Sequence, residues 1–185
     1  MIVVAELRSG GTKFCMDLSE KTGLPFIGEP SGENLHGYHY DDTFKAAYHE
    51  TKFQPKLSFS DMFDDNNIVL ANKFVIPYLR DASYLILRKS FVDGVLSLCN
   101  IKKRIFGYFD LFTMTSHFET RYAIISFALE YDRDVLWYED FDYAKPVNVS
   151  HLDKSDISLI HEYVDNFQRK SDLHKKEKQL LTFTT

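Results

Sequence analysis

The sequence predicts one α/β domain with a mainly parallel central sheet flanked by helices, and three observations carry that expectation. A continuous apolar run opens the chain, a glycine turn follows it at once, and the next segment repeats its apolar residues at helical spacing. Further along, short β-branched or apolar runs alternate with longer amphipathic ones, which is the signature of strand–helix–strand units. With 185 residues and 44% hydrophobic content the chain is long enough for one substantial core and too short for two full domains.

Taken in order, Ile2 to Leu7 reads as a strand buried on both faces, as parallel strands are. A turn at Ser9-Gly10-Gly11 leads to a helix from Thr12 to Thr22, where Phe14, Cys15 and Leu18 share a face and Gly23 stands at the C-terminal glycine position. Leu24 to Tyr40, rich in Gly, Pro, Ser, Asn and His, reads as an irregular loop. Thr43 to Thr51 suggests a short helix, and Ser60-Asp61 with Asp64-Asp65 a capped turn. Asn67 to Asn72 and Tyr84 to Leu87 read as buried strands bridged by Phe74 to Asp81. Phe91, Val92, Val95, Leu96 and Cys99 mark a helix over Ser90 to Lys103. An aromatic connector from Phe106 to Phe112 precedes a helix over Phe118 to Leu129, a strand at Val135 to Tyr138 and a final helix from Lys154 to Arg169. The lysine-rich run from Lys175 to Lys178 reads as a solvated helix end or tail, so that 170–185 form a flexible end. Tyr108, Phe109, Phe112 and Phe118 read as core residues before they read as the lining of a sugar cleft.

The formal charge of -5 argues against a protein that coats nucleic acid, so an anionic ligand has to be held by a few local cations. Cys15 and Cys99 sit in apolar helical segments and read as small buried hydrophobes, and the seven histidines, His36 and His39 among them, make no zinc-ligand pattern. The apolar start is too short for a signal peptide and no later run approaches about 20 apolar residues, so the expectation is a cytoplasmic protein without a membrane span.

The segment Arg8-Ser9-Gly10-Gly11-Thr12-Lys13 is the first place that can carry chemistry. A turn of small residues lets backbone N–H groups approach an anion, and a following helix adds unpaired donors and partial positive charge. Arg8 and Lys13 add cations and Thr12 a hydroxyl. The phosphate loop of nucleotide kinases requires G-x-x-x-x-G-K-[ST], and neither that glycine spacing nor the Lys-then-hydroxyl order occurs here.

Arg8-Ser9-Gly10-Gly11-Thr12, the helix ending in Thr22-Gly23-Leu24, and then Gly28-Glu29-Pro30-Ser31-Gly32-Glu33 together resemble the opening of bacterial sulfotransferases of the trehalose-sulfotransferase type. A second stretch is similar to that family: the strand Leu85-Ile86-Leu87 runs into Arg88, with Ser97 nine residues later inside a helix. Val135-Leu136-Trp137-Tyr138-Glu139-Asp140 resembles the family's strand ending in Tyr-Glu-Asp, and Arg169-Lys170-Ser171-Asp172 is a faint echo of a segment near its C-terminus. Gly11 in place of a hydroxyl residue, Lys13 in place of an apolar one, the additional Gly32 and the shorter chain depart from the pattern.

The resemblance implies a P-loop-like three-layer fold and the sulfuryl donor 3′-phosphoadenosine 5′-phosphosulfate. Arg8, Ser9, Gly10, Gly11, Thr12 and Lys13 would bind its 5′ end, and Arg88 with Ser97 its 3′-phosphate. Glu33, or failing that Glu29, would accept the proton of a hydroxyl on a carbohydrate or other small acceptor, and Arg8 would stabilise the leaving phosphate, with no metal required. Two other readings stand beside this one: a binding module of the same fold that has lost chemistry, and a P-loop nucleotide kinase of unusual loop sequence.

Overall fold

The structure is a computed structural model and describes residues 1–27, 66–71 and 76–183. Five parallel strands form its sheet: β1 (Ile2–Ala5), β2 (Phe26–Ile27), β3 (Ile68–Ala71), β4 (Tyr84–Leu87) and β5 (Val135–Trp137), in the order β2-β3-β1-β4-β5. The described helices are α1 (Gly11–Thr22), α2 (Phe91–Phe106), α3 (Leu111–Glu130), α4 (Lys154–Lys170) and α5 (Leu173–Phe183), with 3₁₀ turns at Ile76–Tyr78 and Tyr138–Asp140.

Alternation along the strands divides the core into two layers of contacts. Val3, Ile68 and Ile86 pack toward α1 and its Cys15, whereas Ile2, Val4, Val69, Leu85 and Leu87 pack in the larger cluster with residues of α2 to α5. Both faces of the sheet are thus covered, as the continuous apolar strands require. From β1 the chain leaves through α1 toward the β2 edge, and from β4 it leaves through α2 and α3 toward the β5 edge. The two connections diverge between β1 and β4, and the carboxyl ends of these strands therefore bound the crevice where doubly wound sheets bind ligands.

Local chemistry sets the helix ends. Gly23 closes α1 in the left-handed conformation, and Ser90, Asp110 and Asp153 cap α2, α3 and α4 by accepting from backbone N–H groups of their first turns. The Asp110 cap starts α3 at Leu111, seven residues before the expected Phe118, and so shortens the aromatic connector. Phe26 and Ile27 form β2 within the stretch expected to be irregular, because their backbones pair with Ile68 and Val69.

The lysine-rich run, read as a solvated helix end or tail, lies within a helix. Residues 173–183 form α5, and Leu173 and Leu180 reach the core while the lysines remain outside. Tyr108 and Phe112 also depart from the core reading: together with Phe106 and Leu111 they are exposed around the α2–α3 turn, whereas Phe109 and Phe118 pack against the core. Cys15 and Cys99 are buried as expected, and burial pushes both thiols up to about 12. Among the described residues no helix is long and apolar enough to cross a membrane.

Candidate functional site at the β1–β4 crevice

Directly after β1 the chain makes a tight turn in which the Ser9 N–H donates to the Glu6 carbonyl at 3.1 Å and the Ser9 hydroxyl donates to the same oxygen at 2.6 Å. Arg8, inside this turn, has φ 66, a left-handed conformation that costs a non-glycine residue on the order of 1 kcal/mol. The carbonyl of Arg8 accepts from Arg88 Nε at 2.8 Å, so the residue that follows β4 holds the strained turn that follows β1. Arg8 itself is exposed at the crevice.

Gly10 caps α1 at φ 75, and a Cβ there would stand 3.0 Å from the rings of both Tyr138 and Tyr143. The first intrahelical bond of α1 is from Phe14 N–H to the Gly10 carbonyl, which leaves the N–H groups of Gly11, Thr12 and Lys13 at the open end of the helix. Gly11 has a packing role as well: a Cβ on it would lie 2.4 Å from Ala5 Cβ, so its absence lets α1 settle onto β1. Lys13 turns along the helix to pair with Asp17, one turn away, instead of facing the turn. Thr12 is half-buried.

Arg88 is 5% exposed, with its guanidinium 4.2 Å from the centre of the Tyr138 ring and 3.7 Å from Glu139 Oε1. It is neither a solvated strand end nor a side chain extended into open crevice. Ser97 sits half-buried on α2, about 9 Å along the helix from Phe91 at the standard rise. Glu29 and Glu33, together with His36, His39, Thr43 to Thr51 and Ser60-Asp61, lie outside the described residues.

Beneath the turn is a charge cluster that no motif announced. Glu6, 2% exposed, accepts from Arg121 NH1 at 3.0 Å and from the Arg88 backbone N–H at 2.8 Å. Arg121 also donates to the Arg88 carbonyl at 3.0 Å and to Glu177 Oε1 at 2.7 Å, tying β1, β4, α3 and α5 together. His117, one helical turn before Arg121, is fully buried, stacks on Phe91 and brings Nε2 within 3.1 Å of Glu6 Oε1. His117 is thus held beside the carboxylate by proximity and burial, and neither of its ring nitrogens has another partner among the described residues. Burial alone would raise the Glu6 carboxyl, but Arg121, His117 and the Arg88 N–H outweigh it and hold the group down at about 2. The sequence signal for this cluster was a single acidic residue ending an apolar strand, and His117 and Arg121 spaced i, i+4 on one helix face.

Comparison of the chain with protein-family models, with curated proteins and with solved structures found no match. Its chemistry is therefore argued from the crevice. Around the turn, Arg88 stands beside Glu139, Lys89 beside Asp140, and Arg121 between Glu6 and Glu177. These carboxylates offset the neighbouring cations, and the first N–H groups of α1 and the exposed Arg8 stand just beyond the carboxyl end of β1, where an incoming anion would meet them.

Proposed function

We propose that the β1–β4 crevice binds 3′-phosphoadenosine 5′-phosphosulfate and that the protein transfers its sulfuryl group to a hydroxyl of a carbohydrate or other small molecule. The observation that carries this reading is the Arg88 Nε bond to the Arg8 carbonyl, which sets the two arginine-bearing segments of the sulfotransferase resemblance side by side at the switch point of the sheet. The first N–H groups of α1 and Arg8 would take the 5′-phosphosulfate, while Arg88 and Ser97 would take the 3′-phosphate.

In the transfer the acceptor oxygen forms a bond to sulfur as the bond from sulfur to the bridging phosphate oxygen breaks. 3′-Phosphoadenosine 5′-phosphate departs, Arg8 and the α1 N–H groups offset its growing charge, and the acceptor proton passes to Glu33 or Glu29. A nucleotide- or ligand-binding module of the same fold without turnover is the second reading, and the Glu139 carboxylate and the Tyr138 ring that already engage Arg88 favour a ligand that makes no demand on that arginine.

Calorimetric titration with 3′-phosphoadenosine 5′-phosphate, AMP and ATP tests the donor site. Binding of the 3′-phosphorylated nucleotide at least about tenfold tighter than AMP, weakened by Ser97→Ala and Arg88→Ala, supports it. Equal binding of the two overturns it, and preference for ATP with magnesium favours a kinase. With donor binding established, loss of transfer in Glu33→Gln or Glu29→Gln at unchanged donor affinity separates the enzyme from the silent module.

A further inference from the structure

A cavity of about 530 Å³ lies between the start of α2, the end of β5 and helices α3, α4 and α5. It is on the side of the sheet covered by α2 to α5, whereas the Arg8 turn leads into α1 on the other side. Its volume is within the range of small-molecule pockets. Phe91, Ile125, Trp137, Val164 and Leu180 give it apolar walls, and half-exposed Val92 lines it as well.

The cations at the cavity are already matched within the protein, whereas the Asp165 carboxylate has no ion-pair partner among the described residues. Arg121 is taken by Glu6 and Glu177, and Lys89 turns to Asp140. One face of α4 is polar where it meets the space: His161, Val164, Asp165 and Gln168 recur at i, i+3, i+4 and i+7 and all line it. His161 and Gln168 hydrogen-bond to no described residue, so their donors and acceptors are open to a ligand. We infer that the cavity is a binding site for a largely aromatic small molecule without an anionic group, which packs against Phe91 and Trp137 and hydrogen-bonds by a polar edge to His161 and Gln168. An anionic ligand would have to break an existing ion pair to reach a cation, and would meet the Asp165 carboxylate. This site does not depend on the sulfuryl-transfer reading.

Trp137 is the only tryptophan in the chain and lines this cavity, so its emission follows a ligand bound beside it. The test titrates the full chain with N-phenyl-1-naphthylamine, an uncharged fluorescent amine, and with 8-anilinonaphthalene-1-sulfonate, which has the same rings and an added anionic group. The expected result is saturable one-to-one binding of the neutral probe with energy transfer from Trp137, and at least about tenfold weaker binding of the sulfonate. Val92→Phe and Gln168→Phe, at partly exposed positions on opposite walls, should each weaken the neutral probe by a similar factor at unchanged circular dichroism, so that either variant suffices if the other misfolds. Phe112→Ser, in the exposed aromatic patch, should leave binding unchanged. Unsaturable binding, unaltered Trp137 emission, preference for the sulfonate, indifference to the wall variants or loss of binding in Phe112→Ser would each overturn the assignment.

Discussion

Glu6 and Arg121 are 115 residues apart in the chain and meet at 3.0 Å, with both side chains almost fully withdrawn from solvent. Glu6 directly follows β1 and Arg121 stands midway along α3, so this pair fixes the sheet to the helical layer directly below the crevice. Because Arg121 also holds the Arg88 carbonyl and Arg88 holds the Arg8 carbonyl, the shape of the turn depends on the cluster beneath it.

Removing one member of the pair should therefore cost more than removing both. Arg121→Met leaves Glu6 buried beside His117 without its main counter-charge and is expected to destabilise the fold by about 3–5 kcal/mol in urea unfolding. Adding Glu6→Gln to it should recover part of that loss, and the coupling between the two substitutions is the measured quantity.

Acid unfolding should carry the signature of Glu6. Its carboxyl lies at about 2 in the folded state against an ordinary value of 4.5, so the unfolded chain binds the additional proton between these limits. The stabilisation is complete above about pH 4.5 and fades as the pH falls toward 2, by roughly 3 kcal/mol in all. The difference in stability between wild type and Glu6→Gln, followed by denaturant titration from pH 6 to pH 2.5, should shrink over that window.

Gly11→Ala tests the packing of α1. The new methyl would lie 2.4 Å from Ala5 Cβ and force the helix away from β1, at a cost of about 1–3 kcal/mol. Ala5→Gly in the same chain should restore most of the stability, because it removes the other half of the clash. Gly94→Ala should be similarly costly for a different reason, as its methyl would meet His117 Nε2 at 2.4 Å.

The C-terminal helix provides a protease test. Lys175, Lys176 and Lys178 lie within α5, whose Leu173 and Leu180 are buried, so trypsin should cut the native protein there slowly. Leu180→Ala, expected to cost about 2–5 kcal/mol, should speed cleavage at these lysines. Rapid cleavage of the wild type would restore the reading of this segment as a tail.

Much of the architecture was legible because it rests on local periodicity. The stretch Tyr84 to Leu87 is a strand with the expected bounds, α2 lies where apolar spacing put it, α4 lies within a residue of its expected bounds, and Gly23 ends α1. Local spacing says less where a partner distant in the chain decides. Phe26 and Ile27 become a strand only because β3 pairs with them, and residues 173–183 become a packed helix only because the core accepts Leu173 and Leu180.

The crevice was legible in part for the same reason. A strand, a small-residue turn and a helix in succession imply donors gathered at a helix start, and Arg8 to Lys13 occupy that geometry. The pairing of Lys13 with Asp17 and the enclosure of Arg88 by Glu139 and Tyr138 were not legible, since a formal charge in a sequence does not say which opposite charge or ring will reach it.

By itself the sequence determined the alternation of strands and helices, the two-sided burial of the parallel strands and the position of the turn after β1, all consequences of residue spacing over one or two helical turns or strand repeats. Tertiary structure alone decided the strand order, the Glu6–Arg121–His117 cluster, the bond from Arg88 to Arg8 and the cavity beside Trp137. Each of these joins groups from distant segments, and burial gives their interactions a strength that no local pattern encodes.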